Sequence, residues 1–394
     1  MWISLLALTI CLLALCLDYV KSGYLIVLNP FSWVVLLILF YFAIPSLFSE
    51  QISNYYNWGL FSADILYSRL LTLLVTVYFS FLLCLFSSKH IGAIILEKDS
   101  HSPVLIWGVW LVIVSYIFWL FKLKLSEGVF SNAFLYDADA AKDPYKLKNI
   151  AYLLIPVSIY LYFDKYRFWV FIPNILIVLL DILHGSRTTA FICLVPILIC
   201  FIIRHKKLYL TQLLALFMIM LAIGVVRSDN VVQNVPWYIS AIGEFRETYI
   251  TLPLYITDVD YVGNGSFLTY IGSLLFGIVQ PLRESISNTY ILPGTFIARD
   301  VARGYGLGSN FLIESLYFGF YGLIASITLL TSFMFILYRQ VYKVKNIDAV
   351  LLITLFIVFS RLIVREGIPV NIGLYCFILI FYISPIFLMR KVKL

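Results

Sequence analysis

The chain has 394 residues, 62% hydrophobic and 12% charged, with a mean hydropathy of +0.97 and a formal net charge of +7. Soluble domains carry about 25% charged residues, so this composition excludes a soluble enzyme, and no nucleic-acid partner is expected. It points to an all-α polytopic integral membrane protein. The six cysteines (Cys11, Cys16, Cys84, Cys193, Cys200 and Cys376) fall inside apolar runs. They read as small hydrophobes, with neither a disulfide framework nor metal-ligand spacing.

The first apolar run lacks a basic start and a small-residue cleavage site, so it reads as a membrane span and not as a signal peptide. Apolar runs near the length that crosses the hydrocarbon core predict about eleven spans, within bounds of 10–12. They cover 2–17, 24–44, 67–86, 104–121, 149–163, 168–183, 189–203, 208–226, 311–338, 348–364 and 370–389. A further stretch, 267–281, is short and glycine-rich, and reads as interfacial or re-entrant. The whole chain reads as a single membrane domain, 1–394, with 227–310 as one large external loop.

Lysine and arginine set the expected orientation. One set of short loops holds Lys21, Lys89, Lys98, Lys165, Arg167, Arg204, Lys206, Lys207, Arg339, Lys343, Lys345, Arg390, Lys391 and Lys393. Those 14 basic residues face five acids (Asp18, Glu97, Asp99, Asp164 and Asp348), a net of +9. The other side carries 14 basic and 16 acidic residues, a net of −2, and the two nets sum to +7. The dense, short basic loops are expected in the cytoplasm. That puts the N-terminus and 227–310 outside, and the C-terminus in the cytoplasm.

From residue 187 onward every basic residue assigned outside is arginine: Arg187, Arg227, Arg246, Arg283, Arg299, Arg303, Arg361 and Arg365. The guanidinium fork holds phosphate bidentately and stays charged, whereas lysine is a hydrated point charge. The set suggests an anionic ligand held at the membrane surface. The plainer reading pairs these arginines with Asp229, Glu244, Glu247, Asp258, Asp260, Glu284 and Asp300 to hold the loop together.

In "HGSRTT" (184–189), Gly185 and Ser186 allow a tight turn, and hydroxyls of Ser186, Thr188 and Thr189 can cap the next helix. Backbone N–H groups there, beside Arg187, would form an anion site. Alternatively, Arg187 snorkels to lipid headgroups. His184 is a candidate base or phosphate contact, against the plainer role of bonding a neighbouring helix. Around "GEFRE" (243–247), Trp237, Tyr238, Tyr249, Tyr255, Tyr261 and Tyr270 offer ring faces that suit sugars, or an interfacial aromatic belt. "DVD" (258–260) could bind a metal as an Asp-x-Asp pair, although two carboxylates are few for Mg²⁺. Arg299 and Arg303 are spaced to share a helix face, and Gly304, Tyr305, Gly306 and Gly308 lead into the late span. Glu314 falls one turn inside that span, where a carboxylate marks either a functional site or a structural ion pair.

With these residues the chain resembles the Wzy-type O-antigen polymerases, which join oligosaccharide repeat units in bacterial envelopes. The resemblance rests on "GSRTT" opening a mid-chain span, "GEFRE" in a large external loop, and "GLGSNFLIESLYFGFYG" leading into a late span. It covers roughly the second half of the chain. Arg283 and Gly294 also fit an arginine–x10–glycine pattern described for external loops of some members. The resemblance implies a GT-C-like glycosyltransferase of the bacterial inner membrane, without cofactor or metal. The partners it implies are an undecaprenyl-pyrophosphate-linked oligosaccharide donor, a lipid-linked acceptor, membrane lipid and a chain-length regulator protein. Expected pyrophosphate contacts are Arg187, Arg227, Arg246, Arg283, Arg299 and Arg303. Other substrate contacts are His184, Tyr249 and Tyr305, and Glu314 or Glu247 takes the acceptor proton. The alternatives are an O-antigen ligase, which uses a similar donor, and a lipid-linked oligosaccharide flippase. A flippase would show repeat symmetry and short loops on both sides. The sequence contains no Walker loop, Gly-x-Ser-x-Gly or HExxH motif.

Overall fold

The computed structural model describes residues 1–56, 60–92, 104–126, 145–165, 167–183, 188–208, 210–211, 218, 236–257, 267–278, 310–344 and 346–391. Every regular element among them is helical. In chain order they are α1 (Trp2–Ser22), α2 (Pro30–Leu47), α3 (Ser49–Tyr56), α4 (Ser62–Leu85), α5 (Val104–Ser126), α6 (Leu147–Lys165), α7 (Ile172–Leu183) and α8 (Thr188–His205). There follow α9 (Trp237–Thr257), α10 (Phe267–Ile278), α11 (Phe311–Tyr317), α12 (Gly319–Val344), α13 (Ile347–Glu366), α14 (Ile368–Phe377) and α15 (Ser384–Lys391).

Among the described residues, eight helices are long and apolar enough to cross a membrane: α1, α2, α4, α5, α8, α12, α13 and the run Asn371–Arg390. The chain is therefore an all-α multi-pass membrane protein. Expected span 208–226 lies outside the described residues except for 208, 210–211 and 218. Two wide π turns, Leu39–Ala43 and Ile378–Ile383, share one feature. Ile44 and Ser384 bond carbonyls five residues back, and the next residue in each is a proline, Pro45 or Pro385, whose ring would crowd the carbonyl four residues back in a regular α-helix.

Contacts divide the chain into two compact units. The first comprises Met1–Ile91, Asn234–Arg339 and Phe359–Cys376. Here α1 buries Ser4, Ala7, Cys11, Ala14 and Asp18, a three-and-four spacing that lines one helix face. That stripe packs against α4, which buries Ser68, Thr72, Thr76 and Ser80. Lipid gives apolar side chains little reason to leave it, so small residues bind such helices through close backbone approach. Asp18, counted above as a loop acid, sits buried in the last turns of α1. It accepts from the Ser87 hydroxyl (2.7 Å), the Ser88 amide (2.8 Å), the Ser32 hydroxyl (3.3 Å) and the Ser88 hydroxyl. These donors meet the demand of a buried carboxylate.

The second unit comprises Gly92–Gln233, Gln340–Val358 and Phe377–Leu394. Its centre is α6, apolar on all sides and buried almost throughout residues 151–163, as an enclosed helix should be. Tyr160 donates to Asp348 (3.1 Å), Arg390 pairs with the same carboxylate, and the Arg390 guanidinium lies over the Tyr160 ring (4.6 Å). Arg204 likewise reaches the Tyr162 hydroxyl (3.3 Å). These contacts join segments that the charge count places on one side.

Candidate functional site

Within the first unit the structure brings together two of the segments that carry the resemblance. The stretch after residue 236, expected as loop, is largely the helix α9. Gly243 breaks it with φ 42° and ψ −115°, a left-handed backbone that favours glycine. Arg246 and Glu247 stand in the first turn beyond that break. Arg246 is buried; its Nη1 donates to the Ile239 carbonyl (3.2 Å) across the kink, and Nη2 lies 3.5 Å from the half-exposed Glu247 carboxylate. The guanidinium fork thus spans both limbs of the bend.

The expected late span, 311–338, is divided. Gly319 (φ 74°) turns the chain between α11 and α12, so Glu314 belongs to a short helix of its own. A Cβ at Gly322 would come within 2.7 Å of the Ser315 carbonyl, which is why the corner closes only on glycine. Asn310 caps α11: its Oδ1 accepts from the Leu312 and Ile313 amides, both at 3.0 Å. Its Nδ2 donates to the Thr248 carbonyl (2.8 Å) and the Thr251 hydroxyl (3.2 Å) on α9. One buried side chain therefore joins the start of α11 to the stretch of α9 directly after "GEFRE".

Glu314 follows in the first turn of α11 and is 2% exposed. Its carboxylate lies against the backbone of Gly367, just past the end of α13. The Tyr270 phenol on α10 is close enough to feel the Glu314 charge, and accepts a hydrogen bond from the Ser326 hydroxyl (2.9 Å). A buried carboxylate beside the Tyr270 phenol can accept a proton, and Glu247 is half-exposed beside Arg246.

Tyr249 is enclosed completely, so it offers no open ring face for a sugar to stack on. Its hydroxyl bonds Ser49 (3.1 Å), and burial pushes the phenol up to about 12, against the pull of Ser49 and the Arg69 charge. Arg69, passed over in the sequence, is buried on α4; it donates to the Ser46 carbonyl and to Glu50 on α3, both at 3.2 Å. Arg361 is buried on α13. His184, Arg187, Arg227, Arg283, Arg299, Arg303 and Tyr305 lie outside the described residues, as do Asp258 and Asp260. Among the described residues, no three His, Cys, Asp or Glu side chains gather where they could hold a metal ion.

In the second unit, α8 begins at Thr188, directly after the segment 184–187, which lies outside the described residues. At the start of α8 the buried carboxylate of Asp181 accepts from the Ala190 amide (2.7 Å), so one of the N–H groups expected to receive an anion is bonded within the chain. The chain matches no protein-family profile, no curated protein and no solved structure.

Proposed function

We propose that the protein polymerises polyprenyl-pyrophosphate-linked oligosaccharide repeat units into O-antigen or a related surface polysaccharide. In this reading it works at the periplasmic face of the bacterial inner membrane. It has about eleven spans in a GT-C-like arrangement, its N-terminus in the periplasm and its C-terminus in the cytoplasm. The observation that carries the reading is the buried Glu314, set on a helix whose Asn310 cap is tied to the arginine-bearing helix α9.

In the reaction, an acceptor hydroxyl of one lipid-linked repeat unit attacks the anomeric carbon of another. The bond from that carbon to the phosphate oxygen breaks, and the lipid pyrophosphate leaves with the electron pair. Glu314 takes the proton lost by the hydroxyl, and arginines meet the charge growing on the leaving group. The chemistry asks for no metal or cofactor, and a chain-length regulator would act as a partner.

The test is to delete the gene and examine surface polysaccharide on a gel, then to complement with wild type or Glu314→Gln. A single-repeat band without a ladder, restored by wild type and not by Glu314→Gln at equal membrane levels, is the expected result. Absence of all surface glycan would point to a ligase or a flippase, and an unchanged ladder would overturn all three readings.

A further inference from the structure

We infer that Gly367 is a positioning residue for Glu314: by lacking a side chain it forms the seat on which the carboxylate rests. The inference builds on the proposed role of Glu314 as proton acceptor. Gly367 ends α13 with φ 95°. Its amide donates to the Ile363 carbonyl (2.7 Å), closing the helix, and its carbonyl accepts from the Asn371 side chain (3.1 Å). The backbone is thus held on both sides of the glycine. A Cβ built there would overlap Oε2 and Cδ of Glu314 outright, and would lie 3.0 Å from the Glu314 Cβ.

A helix-ending glycine with positive φ needs no further explanation. What that turn leaves unexplained is that the space over the missing Cβ is filled by a carboxylate from another helix. Glu314 cannot retreat either. Its amide bonds the Asn310 carbonyl (3.0 Å), and Asn310 is itself fixed to α9. Any side chain at 367 must therefore swing the carboxylate away while leaving both backbones in place. A displacement of about 1 Å at a reacting group lowers turnover by about 100-fold.

The test uses Gly367→Ala and Gly367→Asn in the full-length protein, each in wild-type and Glu314→Asp backgrounds. Membranes of the native host, supplied with its own extracted lipid-linked repeat unit, report polymer formation. Asparagine tolerates a left-handed φ, so Gly367→Asn separates the added Cβ from backbone strain. Both single variants are expected to lower kcat about 100-fold with little change in KM. With the shorter aspartate at 314, the further loss should be far smaller. Wild-type kcat in both single variants, or an undiminished loss beside Glu314→Asp, would overturn the assignment.

Thermal unfolding in detergent reads the same contact without activity. Gly367→Ala should lower Tm more in the wild-type background than beside Glu314→Ala, and equal shifts would overturn the contact. If Glu314→Gln turns over like wild type, the proton-acceptor reading fails and the inferred role with it. The unfolding cycle then shows whether the contact itself still holds.

Discussion

Replacing Asn310 with alanine removes the cap of α11 and the bridge to α9 in one step. Loss of an N-cap destabilises by about 0.5–2 kcal/mol. The two bonds from Nδ2, to the Thr248 carbonyl and the Thr251 hydroxyl, add about 0.5–1.5 kcal/mol each. Thr248 keeps a second donor, the Thr251 hydroxyl at 2.8 Å, so its carbonyl is not stranded and the lower part of that range applies. The expected loss is about 2–3 kcal/mol. Asn310→Ser separates the two contributions, because serine caps as well as asparagine but is too short to reach α9; it should lose about half as much. Unfolding in mixed micelles of rising SDS content, followed through the fluorescence of the eight tryptophans, measures both variants. An alanine variant within about 0.5 kcal/mol of wild type would refute the capping and bridging roles together. A serine variant equal to wild type would refute the bridge alone.

Three further outcomes follow from the proposed orientation and chemistry. Cysteine at Asn264 should react with an impermeant maleimide in cells with a permeabilised outer membrane, above the background of a wild-type chain carrying its six native cysteines; labelling only after lysis would overturn the orientation. Polymer formation should persist in excess EDTA, and a loss restored by Mg²⁺ would bring Asp258 and Asp260 forward as ligands. Arg187→Lys, and lysines at Arg299 and Arg303, should impair the ladder nearly as much as alanine does. The lost forked bonds are worth about 1.5–3 kcal/mol each, or about 10- to 150-fold in rate. Normal ladders from the lysine variants at normal membrane levels would sink the phosphate-grip reading.

Eight of the expected spans were legible because a helix in lipid must be apolar over a fixed length, a constraint written directly in composition. The helix α9 was not. Its buried face mixes Arg246, Thr248 and Tyr249 with Ile250 and Leu252, so neither hydropathy nor a clean apolar period marks it. The break at 318–319 was hidden for the opposite reason. The run from Phe311 to Tyr338 is apolar apart from Glu314 and scattered hydroxyls, and only the glycines at 319 and 322 betray a corner. Asn310 carried a readable signal, an asparagine directly before an apolar run. Gly367 carried one too, a glycine after an arginine-containing last turn with Pro369 beyond it. What sequence could not supply was the partner of each. That Asn310 reaches Thr248, or that Glu314 comes to rest on Gly367, depends on tertiary packing between segments more than 50 residues apart.

The placement of Asp181 bears on where an anion would be gripped. A helix start offers a few unbonded N–H groups and a partial positive charge, and these were the backbone share of the anion site expected at "HGSRTT". At α8 the Ala190 amide is bonded to the Asp181 carboxylate, which sits buried at that terminus. A second anion at the same amides would meet a negative charge at close range, in a setting where water screens it little. The helix terminus therefore contributes less than the sequence pattern suggests, and in the proposed reading the grip on phosphate rests more on the Arg187 side chain. That sharpens the comparison of lysine with alanine at Arg187. With the Ala190 amide already bonded, a side chain that keeps the charge but loses the fork gains less from the backbone, and the two variants should converge.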